Sequence, residues 1–161
     1  MTAFPNPSNH SIHVGGEHTY YFELEAATAS AILPGDLVQF NNPPGDCTVK
    51  EGQADSDTII GVADLSPQGA VTPPRGGDRL TAYAAEDRVK LIRGPIAVML
   101  RIASSEEIQC GEFVQPAASG EVKAYECGTD NDCQRIAQSM ETIDQDTENF
   151  SWGFFLLERF G

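Results

Sequence analysis

Residues 111–125 read GEFVQPAASGEVKAY, and residues 35–50 read GDLVQFNNPPGDCTVK. Each runs from a glycine and an acid through Val-Gln to a turn and a closing Val-Lys. The match extends outward. Ile32 lies over Ile108, and past the turn Ile60-Gly61-Val62-Ala63 lies over Ile136-Ala137-Gln138-Ser139. The offset is the same at both ends, with a small gap at the turn. Self-similarity of this kind marks a duplicated supersecondary unit, here about residues 32–64 and 108–140.

The unit is written in the chemistry of short strands. Pro34 fixes φ, Gly35 allows φ above zero and Asp36 can bond nearby backbone N–H groups, so these three make a turn. Residues 37–40 follow as a strand, NPPGD at 42–46 breaks it, and 47–50 run back. Residues 58–63 are an apolar, β-branched strand in which Gly61 suits a bulge or a close backbone contact. Outside the repeats, residues 19–25 alternate as a strand and 79–83 read as another. RVKLIRGPIAVMLRI at 88–102 reads as two strands joined at Gly94-Pro95, with Pro95 confined to an edge or corner. SWGFFLLERF at 151–160 closes the chain as a core strand. Residues 26–31 suit one weak helical turn. Residues 136–142 are the only other helix candidate, although the repeat requires that stretch to begin as a strand.

Short strands punctuated by turn signals predict an all-β fold, a small barrel or sandwich built from two similar halves. The first 18 residues, MTAFPNPSNHSIHVGGEH, are rich in Pro, Asn, Ser and Gly and predict an extended N-terminal arm. A single domain then covers 19–161. Phe4, Ile12 and Val14 are the arm's apolar anchors for a neighbouring surface.

Charge narrows the partners. Asp and Glu number 24 against 10 Lys plus Arg, a formal net charge of −14. That sign repels nucleic acid and anionic membrane surfaces, and no apolar run is long enough for a helical membrane span. The residues 1–16 lack the basic start and apolar stretch of a signal peptide. Only Lys50, Lys90 and Lys123 are lysines, and the acids are spread along the whole chain. An ordinary acidic protein and a protein of a high-salt medium both fit, the second because salt screens self-repulsion.

Motifs for chemistry are sparse. His10, His13 and His18 cluster without the H-E-x-x-H spacing of a zinc site, so a solvated or docked arm is the preferred reading. Asp130-Asn131-Asp132, with Asp144 and Asp146 further on, offers oxygens without an EF-hand loop and reads as a polar loop. RGGD at 75–78 is turn chemistry. Sequons begin at Asn9 and Asn149, a pattern that chance produces often. The expectation is therefore no catalytic set, no cofactor, no metal and no enzyme. Of the four cysteines, Cys127 and Cys133 bracket a loop short enough for a disulfide, while free thiols fit the spacing equally. Arg88, Arg93 and Arg101 flank apolar strands. They can bind acidic loops of a partner, or acids of their own chain.

The motif order also resembles a family. PGDLV (34–38), IIGVA (59–63), LIRGPIAV (91–98), CGEFVQPAASGEV (110–122) and GFFLLE (153–158) stand in an order similar to the capsid cement, or head decoration, proteins of tailed viruses. The resemblance implies a β-rich virion protein on the outer capsid surface. It implies the major capsid protein as partner, assembly as a homotrimer, and stabilisation of coat–coat contacts. With the acidic composition it suggests a virus of a salt-loving archaeal host. The alternative is a β-barrel carbohydrate- or receptor-binding module, for which Trp152, Tyr20, Tyr21 and Tyr83 would be the stacking candidates.

Overall fold

The structure, a computed structural model, describes residues 12–15, 20–27, 31–64, 82–126, 134–144 and 152–158. Among these the fold is all strand and turn, without an α-helix. A first sheet holds β2 (Tyr20–Glu25), β3 (Leu37–Phe40), β4 (Val49–Glu51), β5 (Ile59–Ala63) and β6 (Arg88–Arg93), in the order β2-β6-β5-β3-β4. A second holds β1 (His13–Gly15), β7 (Ala97–Arg101), β9 (Phe113–Pro116), β10 (Val122–Ala124), β11 (Ala137–Ser139) and β13 (Trp152–Leu157), in the order β1-β7-β13-β11-β9-β10. β8 (Glu107–Ile108) pairs with β12 (Ile143–Asp144) apart from both.

The duplication is larger than the repeated words. Take β2, β3, β4, β5 and β6 as one unit and β7, β9, β10, β11 and β13 as the other. Spatial order and antiparallel pairing then coincide strand for strand. The hydrogen bonds show what the repeated words encode. Leu33 N–H donates to Asp36 Oδ2 at 2.7 Å, and Gln109 N–H donates to Glu112 Oε2 at 2.8 Å. Gly35 N–H reaches Ala63 O at 2.7 Å, and Gly111 N–H reaches Ser139 O at 2.8 Å. The buried Gln39 accepts from Gln53 N–H at 2.9 Å, and the buried Gln115 from Glu126 N–H at 2.8 Å. The glycines hold φ of 84° and 88°, open to glycine at little steric cost.

A third copy of the turn precedes β6. Ala84 N–H donates to Asp87 Oδ2 at 2.8 Å, with Glu86 at φ 66° where the other copies have glycine.

Each five-strand unit curls until its outer strands meet by one parallel bridge, Ala26 to Val49 in the first and Ile102 to Val122 in the second, where β1 adds on beyond β7. One bridge is not a paired strand, so the arrangement is a sandwich of two curled sheets and not the closed barrel that was the other expectation. Inside the first curl lie Val38, Val49, Ala63, Val89 and Leu91, capped by Ile32 and Tyr83. Inside the second lie Val114, Val122, Leu100, Phe155 and Leu157. Leu37, Ile59, Val62 and Ile92 point out of the first curl and join the second cluster, so one continuous core spans the seam.

Most expected strands are present, and the differences have physical causes. The expected helical turn at 26–31 is absent where described: Ala26 bridges Val49, and Ala27 N–H donates to Val49 O at 2.8 Å. The stretch 136–142 is strand β11, because Ala137 is fixed between Val114 and Leu157. Residues 88–102 are indeed two strands, but Gly94-Pro95 carries the chain from one sheet to the other instead of closing a hairpin. Of 79–83, Ala82 and Tyr83 are described, both outside any strand, Ala82 exposed and Tyr83 buried. Gly61 is the expected close contact, since a Cβ there would stand 2.9 Å from Ile92 O.

Candidate interaction face and the seam behind it

β-strand alternation decides which side chains leave each curl. In the first sheet, Leu37, Val62 and Ile92 stand in register across three strands and are fully buried. Their counterparts in the second sheet are Phe113, Gln138 and Leu156, also in register. Here Phe113 and Gln138 are half-buried and Leu156 is 40% exposed. Ile59, 4% exposed, corresponds to Arg135, whose guanidinium lies 4.0 Å above the Phe113 ring and pairs with Glu158 at 2.6 Å. The hydrogen bond to Glu158 raises the Arg135 pKa above its usual value, and the guanidinium over the ring is a cation as any arginine is.

Tyr125 and Met140 border this row. Tyr125 N–H donates to Phe113 O at 2.9 Å, and Met140 N–H donates to Phe154 O at 2.9 Å. Tyr125, Met140 and Leu156 are the exposed large hydrophobic side chains among the described residues. All three gather on or beside the outer face of the second sheet, next to half-buried Phe113 and Phe154. Exposed apolar side chains drawn together in this way mark a contact surface more than scattered ones do.

The seam fixes how this face is held. Gly120, at φ 74°, sits so close to Asp36 that a Cβ would stand 2.6 Å from Asp36 Cβ. Gly120 N–H donates to Gly52 O at 2.9 Å, Asp55 N–H to Pro116 O at 3.1 Å, and Arg101 N–H to Gly35 O at 3.3 Å. Gln115 Nε2 and Lys123 Nζ both reach Asp55 Oδ1, at 2.8 and 3.0 Å. Arg101 spans the joint, giving Nη1 to Asp36 Oδ1 at 2.7 Å and Nη2 to Glu121 Oε1 at 2.8 Å. Burial pushes the Asp36 carboxyl up to about 7, against the pull of Arg101 and of the Leu33 N–H, with Glu121 adding to the rise.

The expected site residues divide accordingly. Arg101 is committed to Asp36 and Glu121, so its fork serves the fold and not a partner's loop. Arg88 is exposed at the start of β6 opposite Glu25, and Arg93 is half-buried at its end opposite Tyr20. Ile12 is fully buried, and Met99 N–H donates to its carbonyl at 2.8 Å, so it anchors the arm inside its own chain. Val14 and His13 lie in β1, which pairs with β7, so the expected arm is in part a strand of the second sheet. Phe4, His10, His18, Cys127, Cys133, the 75–78 turn, the 130–132 acids, Asp146 and both sequon asparagines lie outside the described residues. Cys47 and Cys110 are exposed free thiols. Tyr83 is buried, with its hydroxyl donating to Asp64 O at 2.9 Å, which removes it from the stacking candidates. Trp152 is half-buried, and a Cβ at Gly35 would overlap its ring. Among the described residues no group of three or more His, Cys, Asp or Glu is placed to hold a metal.

The comparisons with known proteins rest on shape. No family model and no curated protein sequence matches this chain. Among solved structures it is similar to the N base of the head fiber gp8.5 of bacteriophage phi29, with a TM-score of 0.52 and 9% identity. The likeness covers 88% of this chain and 96% of that one, and at this identity it is a likeness of fold.

Proposed function

We propose that this chain is a structural virion protein that sits on the outer surface of an icosahedral capsid and stabilises coat–coat contacts. The observation that carries the reading is the fold likeness, across 88% of the chain, to the base of a phage head fiber. The order of motifs points the same way, being similar to that of capsid cement proteins. In this reading the outer face of the second sheet lies against the coat. Leu156, Met140 and Tyr125 supply apolar contact, and Arg135 covers the Phe113 ring at its border. The partner is the major capsid protein, and self-association as a trimer on the shell is part of the same proposal.

Electron microscopy of purified particles with the chain present and then removed tests this reading. Density over coat junctions that vanishes on removal is the expected result. Particles that lack the chain, or carry it only inside the shell, would overturn it. A screen for glycan binding and hydrolysis checks the rival module, and saturable binding of a sugar would favour that rival.

A further inference from the structure

The seam holds an arrangement that the docking role does not require. Asp36 is 1% exposed, and its two carboxylate oxygens have one partner each, the Leu33 N–H and the Arg101 guanidinium. Glu121 takes the other arm of the same guanidinium. Two carboxylates therefore share one cation at a joint largely closed to water. If both are ionised, the triad carries an uncompensated negative charge where burial makes such a charge costly. If Asp36 holds a proton, the triad is neutral.

The surrounding elements bring little that could change this balance. β7 contributes Arg101, and the 118–121 turn contributes Glu121 and the close approach of Gly120. The end of β5 gives the backbone N–H of Ala63 to Asp36 O at 2.9 Å. β13 lays the Trp152 ring against Gly35. The corresponding acid in the second unit, Glu112, makes the same turn bond but is half-buried, away from the joint, and among the described residues pairs with no arginine. The device therefore belongs to the joint and not to the turn motif.

We infer that the joint between the two units is proton-gated: a proton on Asp36 locks the units together, and its loss loosens them. The direction follows from linkage. Burial raises Asp36 from 3.8 to about 7, so the closed joint binds a proton that the opened, hydrated joint releases. The stabilising contribution is complete below 3.8 and is lost as pH rises toward about 7. Above that the joint rests on the Arg101 pairs and the apolar seam alone.

Amide hydrogen exchange on the full chain tests the inference, corrected for intrinsic pH dependence. The reporters are the cross-seam N–H groups of Arg101, Gly120 and Asp55, compared with Leu91 and Ile92 in β6, which lies between β2 and β5. Between about pH 4.5 and about pH 7.5, seam protection should fall by at least about tenfold while the comparison amides hold. In Asp36→Asn, which cannot ionise at this position, the seam profile should be flat. Equal pH dependence in the variant would assign the effect to other groups, the histidines included, and overturn the inference. A flat wild-type profile would overturn it too. Should Asp36→Asn fail to fold, the carboxyl carbon of Asp36 is titrated by NMR in the wild-type chain. A midpoint between about 6 and about 8 supports the gate, and one below about 4.5 sinks it.

Discussion

The outer faces of the two sheets have the same backbone and opposite fates. In the first sheet, Leu37, Ile59, Val62 and Ile92 are sealed in the seam. In the second, the same positions are Phe113, Arg135, Gln138 and Leu156, and they meet the surface. Two of the four have become polar, as solvent demands. Leu156 has not, and Tyr125 and Met140 beside it have not either. A face designed only for water would have no use for them. The two ends of the stack differ in charge as well. Asp36 meets Arg101 across the seam, and their counterparts are Glu112 and Glu25. A third unit added in the same way would set two acids together where the seam has an ion pair, which disfavours growth by head-to-tail repetition.

Paired substitutions can break or sharpen this comparison. The largest contrast is expected between Ile92→Ala and Leu156→Ala. The first opens a cavity in a closed core and should cost about 2–5 kcal/mol, while the second should cost under about 1 kcal/mol. Urea denaturation reads both, and similar losses would mean that the second face is buried too. The turns give the next contrast. Gly35→Ala meets both a left-handed φ of 84° and the Trp152 ring, for a loss of roughly 3 kcal/mol. Gly111→Ala at φ 88° has only the Gln138 Nε2 at 4.0 Å nearby and should lose about 1 kcal/mol.

Arg101→Ala removes a half-buried partner of two acids and should cost about 2 kcal/mol near pH 8 and less near pH 5, where Asp36 keeps its proton. Arg88→Ala, exposed on β6, should stay within about 0.5 kcal/mol at either pH. Thermal melts at the two pH values check the pair. The smallest effect concerns salt. With a net charge of −14, the melting temperature should rise modestly from dilute buffer to about 1 M sodium chloride as repulsion is screened. A flat curve would leave the acidic surface without a part in stability.

The sequence made the repeated turn legible because its chemistry is specific. A glycine at positive φ, an acid that returns to the turn's first N–H, and a glutamine that serves a backbone donor leave few substitutes. The flanking strands belong to the duplication without looking alike, since a buried strand position asks only for apolar bulk. Leu91 and Phe155 correspond, as do Ala63 and Ser139. The turn before β6 was hidden because Glu86 stands where glycine marks the other copies. The pairing of Asp36 with Arg101 joins residues 65 positions apart, so no local pattern announces it. The burial of Ile12 was likewise unreadable, since an arm of Pro, Asn and Gly gives no sign that one isoleucine reaches a core. Barrel or sandwich was undecidable from alternation alone, which states that a strand has two faces and not what lies against each.

The central claim is that the outer face of the second sheet is the one that meets the capsid, and Leu156→Glu tests it most directly. Binding of this variant to particles stripped of the chain is measured beside its melting curve. The account expects binding weakened by about tenfold or more, the loss of one well-placed apolar contact at an interface centre, with the melting temperature unchanged. Undiminished binding by a folded Leu156→Glu chain would contradict it.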